Sequence, residues 1–258
     1  MTLHLKGAFS NNPRVRPLLD GTIQPTGIEI EWDSGSPADL HERHLRDDDC
    51  DVFEFSISHL MESKAKPSPR WDWSMLPVYM SKALLCVNSL TNVNSGVESA
   101  QDLKGKRFGV PDYSMTAALW FRAMLRELYG YHPWDVSWFV GRTLEHSHTE
   151  LVGVSREKLS SRVSITWPDR AGALGELLLA GDIDAAWGSA LEGIPADPPP
   201  TLRPLFPDGG LDFVGSFVQR TGFGPVNHTV VVQNKLLEKE PWVAEALYEA
   251  FEKSKAEA

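Results

Sequence analysis

The stretch DLKGKRFGVPDYSMTAALWFRAML, residues 102–125, contains a complete strand–turn–helix unit. The apolar run RFGV predicts a short strand, and the segment that follows Ser114 predicts a helix that ends at Gly130 in a C-cap position. Between them lies a polar corner, residues 111–116. The amino end of a helix carries unpaired backbone N–H groups, which favour anions such as carboxylates. The corner therefore predicts an anion-binding helix end.

Strands and helices alternate on both sides of this unit. In the first third, the helix predicted after the first strand has Asn12 as its cap and Pro13 at its first position, and the next helix has Ser36 as its cap. Side-chain alternation in DVFEFSIS puts Glu54, Ser56 and Ser58 on one face of a strand. Short alternation of this kind predicts α/β architecture with a largely parallel sheet covered on both faces.

The chain is long enough for two lobes. A polar stretch, residues 91–106, has the composition of a crossover, and a proline-rich stretch, residues 193–210, predicts a long external connection without helix or central strand. The last strand and helix are too little for a third domain, so we expect them to pack on the first lobe. The predicted lobes are residues 1–93 with 217–258, and residues 94–216, with a ligand cleft between them.

Composition limits the function classes. The net charge of −10 argues against a nucleic-acid surface, so an anionic ligand would need local positive groups. No apolar run approaches the roughly 20 residues that cross a bilayer, and no secretory signal is visible, which favours a cytoplasmic protein without a membrane partner. Cys50 and Cys86 lie in or beside apolar runs and are expected to be buried free thiols.

Two motifs of the chain, PDYSMTAALWFRAML and TGFGPVNHTVV, are more discriminating than DLKGKRFGV and AGDIDAA, which are shared by many solute-binding proteins. Together these motifs resemble the 4,5-dihydroxyphthalate decarboxylase family, and the resemblance runs from about Arg16 to the last residue. It implies a two-lobed type 2 periplasmic-binding-protein-like fold, with mixed sheets flanked by helices. It also implies a carbon–carbon lyase that decarboxylates a hydroxylated aromatic acid without oxidation and without a cofactor.

The chain departs from the family pattern at two places. Ser81, Lys82 and Ala83 stand where relatives commonly have an arginine–histidine pair, and Asn227 stands where a methionine is common. Polar groups of this kind select the acid that fits, so the ring pattern of the substrate stays open.

The corner supplies the first candidate binding residues. The hydroxyls of Ser114 and Thr116 are candidates for a substrate carboxylate, with Ser114 as the expected N-cap of the helix. Tyr113 is a candidate for stacking on an aromatic ring. The structural alternatives are a simple helix cap and a packed tyrosine.

Three arginines are candidates for an anion. Arg14 and Arg16 flank Val15 after the first strand, and one guanidinium there can hold a carboxylate through two parallel hydrogen bonds. Arg142, just after the strand WFVG, is the third candidate. A solvated helix face is the alternative for the first two.

His228 and Glu54 are the candidate catalytic residues, as alternative proton donors. Histidine exchanges protons near neutral pH. A glutamate between two phenylalanines is either a proton donor with a raised pKa or a structural carboxylate satisfied by backbone at the strand end. Ser56 and Asn227 are their candidate hydrogen-bonding neighbours, in contact with substrate.

The sequence EHSH, residues 145–148, has metal-ligating residue types but no second cluster, so no metal is expected there. The partner predicted for the chain is a small aromatic carboxylate, and a homo-oligomer stays open.

Two other functions stay open: a non-catalytic small-anion solute-binding protein of the same fold, and a homologue inactive as a decarboxylase or acting on another aromatic or tropolone-like acid.

Overall fold

The computed structural model describes residues 2–65, 71–81, 86–154, 156–187, 194–195 and 197–258. The chain divides into two compact units, Met1–Lys82 with Val226–Ala258, and Ala83–Pro225. The boundaries expected from sequence lie at 93/94 and 216/217 instead. Residues 83–93 belong to the second unit because they contain an inner strand of its sheet. Residues 217–225 belong to it because they continue a helix that packs in its core.

The first unit contains a five-stranded mixed sheet within the described residues. Its strands are β1 (Leu3–Ser10), β2 (Ile28–Gly35), β3 (Val52–Ser56), β4 (Trp73–Ser81) and β11 (His228–Gln233), in the order β2-β1-β3-β11-β4. β1 pairs in parallel with β2 and β3, whereas β11 is antiparallel to both β3 and β4. The parallel sheet expected for the first third is therefore extended by two antiparallel contacts.

Five described helices belong to this unit: α1 (Arg16–Leu19), α2 (Pro37–Asp47), α3 (Ile57–Ala65), α9 (Asn234–Lys239) and α10 (Val243–Ala256). α2 begins as predicted, because the Ser36 side chain accepts a hydrogen bond from the Asp39 amide. α1 begins later than predicted, because Asn12 forms a turn. Its side-chain oxygen accepts a hydrogen bond from the Arg14 amide, and its backbone carbonyl accepts one from the Arg16 amide. The first helical residue is thus Arg16 rather than Pro13.

The core of the first unit explains the composition of its strands. β3 is buried along its whole length, and Phe53 packs edge-on against Trp73 with ring centroids 4.7 Å apart. The strand ends at Ser56, so Ser58 lies in α3 and not on the strand face predicted by alternation. On the other face, Phe251 of α10 packs against Phe9 with centroids 5.1 Å apart. The C-terminal strand and helix are therefore integral parts of this core.

The second unit has a six-stranded mixed sheet within the described residues, in the order β10-β5-β9-β6-β7-β8. Its strands are β5 (Ser89–Asn92), β6 (Arg107–Val110), β7 (Ser137–Val140), β8 (Ile165–Thr166), β9 (Ala185–Trp187) and β10 (Leu202–Pro204). Its described helices are α4 (Thr116–Tyr129), α5 (His148–Leu151), α6 (Arg156–Ser160), α7 (Ala173–Ala180) and α8 (Leu211–Thr221). β10 comes from the proline-rich stretch and lies at the edge of the sheet, where a missing N–H is tolerated.

The strand–turn–helix unit forms as its sequence predicts. β6 leads through the corner into α4, which ends at Gly130 with φ +71°, a left-handed conformation that favours glycine. Phe121 of α4 stacks on Phe108 of β6 with centroids 4.9 Å apart, which fixes the helix on the sheet. None of the described helices combines the length and the apolar character that a membrane span requires.

Candidate functional site

Three strand ends of the first unit meet at one edge of its sheet. β1 and β3 run parallel, so their carboxyl ends, at Ser10 and Ser56, lie at the same edge. β11 runs antiparallel to β3 and begins at this edge, with His228 opposite Ser56. Residues far apart in the chain are thereby placed side by side.

A buried carboxylate–imidazole pair lies at this edge. His228 Nδ1 is 2.6 Å from Glu54 Oε1. The other carboxylate oxygen, Oε2, accepts hydrogen bonds from the Ser10 amide at 2.9 Å and from the Ser10 hydroxyl at 2.5 Å. The Glu54 side chain is 1% exposed, whereas that of His228 is 17% exposed. Both oxygens of the carboxylate are therefore engaged, and the imidazole is partly exposed.

The pKa of Glu54 is shifted in the direction opposite to the sequence-based prediction. Burial by itself raises the pKa of this carboxyl, but the hydrogen bond and charge of His228 and the two hydrogen bonds from Ser10 outweigh it and lower the pKa. Glu54 is therefore an ionised acceptor, and of the two alternatives drawn from the sequence the proton donor with a raised pKa is wrong. The ionised carboxylate holds the imidazole of His228 through Nδ1.

His41 forms one wall of the pair. Its ring lies edge-on to the His228 ring, with centroids 4.8 Å apart, and packs against Phe55 with centroids 5.3 Å apart. His41 is buried on the inner face of α2. Sequence reasoning missed both His41 and Ser10. The helical spacing of Leu40, His41, His44 and Leu45 was a signal for a buried histidine face, while a serine at a strand end carries no comparable signal.

Ser56 and Asn227 flank the pair. The Ser56 hydroxyl is 3.2 Å from that of Ser58. The Asn227 amide donates to the Ser81 carbonyl at 3.0 Å, and its carbonyl accepts from the Ile57 amide at 3.1 Å. These backbone bonds fix the approach to His228. Of the departures from the family pattern, Lys82 and Ala83 lie outside the described residues.

Arg14 and Arg16 are both exposed, immediately before and at the start of α1. The Arg14 carbonyl accepts a hydrogen bond from the Ser254 hydroxyl of α10 at 2.6 Å, which anchors this turn.

The corner of the second unit contains a polar cluster around Asp112. This carboxylate is 1% exposed and accepts hydrogen bonds from the Ser147 hydroxyl, the Thr149 amide and the Thr149 hydroxyl. Arg142 Nη1 lies 3.8 Å from the same carboxylate. The charge of Arg142, predicted as an anion ligand, is therefore partly balanced by Asp112, which sequence reasoning missed.

The three candidate residues of the corner, Tyr113, Ser114 and Thr116, have different contacts. Ser114 does not cap α4: the N-cap is Met115, and the Ser114 hydroxyl is 2.7 Å from that of Thr149. The capping role predicted for Ser114 is wrong, because the hydroxyl is engaged by a neighbouring loop. Thr116 is the buried first residue of α4. Tyr113 is packed in the core, with the Arg122 guanidinium 3.9 Å from its ring centroid.

The residues of EHSH differ in their exposure to solvent. Glu145 and His146 are exposed, whereas His148 is buried in α5. Among the described residues, the metal-ligating atoms that come within 4.8 Å of one another belong instead to His44, Asp49 and Cys50. Cys50 and Cys86 are both buried free thiols, as predicted.

The chain was compared with known proteins and structures. No family model matches it. It is 32% identical over 257 residues to a 4,5-dihydroxyphthalate decarboxylase from Comamonas testosteroni, covering 99% of this chain and 76% of that protein. It is 34% identical over 187 residues to a 4,5-dihydroxyphthalate decarboxylase from Pseudomonas putida, covering 72% of this chain and 70% of that protein.

Solved structures resemble the fold at low sequence identity. A crystal structure of a protein from Archaeoglobus fulgidus matches with a TM-score of 0.53 at 14% identity, covering 98% of this chain and 75% of that chain. The periplasmic aliphatic sulphonate binding protein SsuA from Escherichia coli matches with a TM-score of 0.52 at 15% identity, covering 99% and 74%. The predicted type 2 periplasmic-binding-protein-like fold, with mixed sheets flanked by helices, is confirmed.

The sequence relatives extend over most of both chains, and the shared fold agrees with them. The chain belongs to the 4,5-dihydroxyphthalate decarboxylase family.

Proposed function

We propose that this protein is a carbon–carbon lyase that removes carbon dioxide, without oxidation, from a hydroxylated aromatic acid resembling 4,5-dihydroxyphthalate. The family relationship supports the reaction class. The observation that carries the proposal is the contact of 2.6 Å between His228 Nδ1 and Glu54 Oε1, because it fixes the orientation of an imidazole, the side chain best suited to exchange protons near neutral pH.

The proposed decarboxylation needs a proton donor to the ring and no electron sink. A ring hydroxyl ortho or para to the carboxylate pushes electron density onto the carbon that bears it. That carbon takes a proton and forms a new C–H bond. The bond to the carboxylate then breaks, carbon dioxide leaves, and the electron pair of the broken bond restores the aromatic ring.

His228 is the proposed acid, and Glu54 is the proposed positioning residue. Glu54 engages Nδ1, which leaves Nε2 as the nitrogen that transfers a proton to the ring. The imidazole regains a proton from water after each turnover. Burial of Glu54 strengthens its hydrogen bond to the imidazole, since the charge of the carboxylate is poorly screened there.

Other residues are proposed to bind substrate. In the first unit these are Ser56, Asn227 and the exposed guanidinium groups of Arg14 and Arg16. In the second unit we propose Arg142 as a carboxylate ligand, with its remaining positive charge, together with the corner residues Tyr113, Ser114 and Thr116.

The test is carbon dioxide release from a panel of mono- and dihydroxylated aromatic acids in deuterated water. We expect turnover of an acid with a hydroxyl ortho or para to a carboxylate, and deuterium at the carbon that carried it. His228→Asn is expected to lower kcat by about 10²–10⁴-fold. The matched control is His4→Asn, because His4 also lies near a glutamate, 3.4 Å from Glu29, but both side chains are more than two-thirds exposed.

Three results would contradict the proposal in different ways. Tight binding of these acids without turnover would favour the solute-binding alternative. Turnover by His228→Asn at the rate of the unchanged protein would remove His228 from the mechanism. Neither binding nor turnover of any acid in the panel would reject the substrate class.

A further inference from the structure

A histidine, an aspartate and a cysteine converge at the amino end of β3. His44 lies in the last turn of α2, and Asp49 and Cys50 lie in the connection to β3. His44 Nδ1 is 3.5 Å from Asp49 Oδ1, and Cys50 Sγ is 3.7 Å from the same oxygen. The three ligand atoms all lie within 4.8 Å of one another.

His44 is the observation that needs an explanation. Its side chain is 0% exposed, and within the described residues neither ring nitrogen has a hydrogen-bond partner. Its ring stacks on Phe53, with centroids 4.2 Å apart, so the imidazole cannot turn freely. A buried polar atom without a partner is destabilising, because it has lost its hydrogen bonds to water. A bound cation would compensate Nδ1 by accepting its lone pair.

The two separations from the Asp49 oxygen fit a tetrahedral cation, and the His44 nitrogen lies within 4.8 Å of the Cys50 sulfur. Zinc binds histidine nitrogen and carboxylate oxygen at about 2.0–2.2 Å and thiolate sulfur at about 2.3 Å, which puts N and O roughly 3.4 Å apart and S and O roughly 3.6 Å apart. The observed distances are 3.5 Å and 3.7 Å. We propose that His44, Asp49 and Cys50 bind a divalent transition-metal ion, with zinc favoured by the nitrogen and sulfur ligands.

The backbone around the ligands is held in place without a metal. Asp48 adopts φ +50°, donates its amide to the His44 carbonyl at 3.1 Å, and accepts the Trp73 indole N–H at 2.8 Å. The Cys50 carbonyl accepts from the Gln233 side chain at 2.7 Å. A metal would therefore meet a largely preformed site, at little cost in ordering the chain.

The site opens to solvent on an acidic side. Asp49 is half-exposed, and Asp49 and Cys50 line a cavity of about 350 Å³. Its charged walls carry three carboxylates against two cations: Glu31, Asp33 and Asp49, with Lys6 and Arg43. An ion can enter from this cavity and keep a water molecule in its fourth position. Cys50 would lose its thiol proton to solvent when the sulfur–metal bond forms.

Arg43 competes with the ion. Its Nε lies 3.7 Å from Asp49 Oδ1 and its Nη2 lies 3.9 Å from Cys50 Sγ. The same guanidinium is hydrogen-bonded to Asp33, which can retain it when the ion binds. Removing this positive charge should therefore tighten metal binding, an effect that a purely structural role of the three ligands does not predict.

The test is equilibrium dialysis of the full chain against zinc chloride, with cobalt as a spectroscopic probe. We expect one zinc per chain, a raised melting temperature and a thiolate-to-cobalt absorption band. Asp49→Asn and Cys50→Ser should each weaken zinc binding more than about tenfold, and Cys50→Ser should abolish the band. Arg43→Gln should strengthen binding.

Cys86→Ser is the matched control, because Cys86 is the buried free thiol of the other unit, and it should leave zinc binding and the band unchanged. Circular dichroism of each variant verifies folding, and Asp49→Asn alters a half-exposed side chain that the fold tolerates. Failure of the unchanged protein to bind zinc, or unaltered binding in both Asp49→Asn and Cys50→Ser, would overturn the proposal. The outcome is independent of decarboxylase activity, since the metal ligands and the Glu54–His228 pair share no residue.

Discussion

At the residue scale, Ser10 is the least conspicuous member of the candidate catalytic cluster of Ser10, Glu54 and His228. Its amide and hydroxyl both donate to Glu54 Oε2, so one residue determines how the carboxylate faces His228. A hydrogen bond to a charged group contributes about 1.5–3 kcal/mol. Ser10 is thus expected to act through Glu54 and without touching the substrate.

Ser10→Ala should lower kcat roughly tenfold with little change in KM, since one charge-assisted hydrogen bond is lost and the backbone one remains. Ser10→Thr, which keeps the hydroxyl, should restore most of the activity. The measurement is the pH profile of turnover for both variants beside Ser34→Ala, a control at an exposed serine of β2. A profile and kcat that do not change in Ser10→Ala would contradict the positioning role.

The lowered pKa of Glu54 also predicts how stability depends on pH. The folded-state pKa lies below the ordinary value of 4.5, so its contribution is present above pH 4.5 and is lost as the pH falls through the folded pKa. The Glu54→Gln variant has no carboxyl group to titrate, so its free energy of unfolding should fall less between pH 6 and pH 3 than that of the unchanged protein. Urea unfolding between pH 6 and pH 3 measures it, and an equally steep decline in the variant would contradict the assigned shift.

At the element scale, the effect of a glycine depends on whether it lies at the end of a helix or inside it. α4 ends at Gly130 with φ +71°, whereas Gly215 lies inside α8, where an added Cβ meets no atom within 4 Å. The same substitution should therefore have opposite effects at the two positions.

Gly130→Ala should destabilise the protein by about 1 kcal/mol, because a side chain disfavours the left-handed conformation. Gly215→Ala should stabilise it by about 0.5–1 kcal/mol through helix propensity. Chemical denaturation of both variants provides the comparison. Effects of the same sign would show that local backbone conformation does not dominate at these positions.

The loop that follows β7 depends on Asp112. This buried carboxylate binds Ser147 and Thr149 and lies near Arg142, so it connects the corner before α4 to the start of α5. Asp112→Asn should destabilise the second unit by about 1–3 kcal/mol, because the hydrogen bonds lose the charge of their acceptor.

Hydrogen exchange of residues 142–149 checks this prediction, with Asp169→Asn as a control at an exposed aspartate. Faster exchange confined to the Asp112 variant is expected. Equal protection in the two variants would show that the loop does not depend on the carboxylate.

At the scale of the whole molecule, the order of the chain does not match the order of the strands. β11, from the last part of the chain, lies between β3 and β4 and pairs with both. A chain that stops at Pro225 therefore lacks an inner strand of the first sheet, the helix α10 and His228.

Such a truncation should lose the tertiary structure of the first unit and keep that of the second, which has its own sheet and core. Near-ultraviolet circular dichroism and hydrogen exchange distinguish the two units. Removal of Glu257 and Ala258 alone, which follow α10 and are exposed, is the control and should change neither. A first unit that stays protected after truncation at 225 would contradict the assignment of β11 as a required inner strand.

Short-range patterns determined the α/β class and most elements of this protein, whereas its family and two-lobed fold class were indicated by the resemblance of longer motifs. The Ser36 cap of α2 and the Gly130 end of α4 were predictable, because capping and backbone conformation depend on residues within a few positions. The proline-rich stretch was predicted as an external connection without a central strand, and it contributes only the edge strand β10. The Asn12 cap and the Ser114 cap were predicted wrongly, since a local turn engages the first residue and a distant loop hydroxyl engages the second.

Only the tertiary structure decided which side chains meet and how they titrate. Glu54 is 44 positions from Ser10 and 174 from His228, and both contacts follow from strand order and direction in the sheet. The pKa of Glu54 falls instead of rising because two distant residues donate to it, which no pattern around a single strand encodes. The sequence thus identified both catalytic candidates as alternatives, and the packing of three strands joined them in one pair.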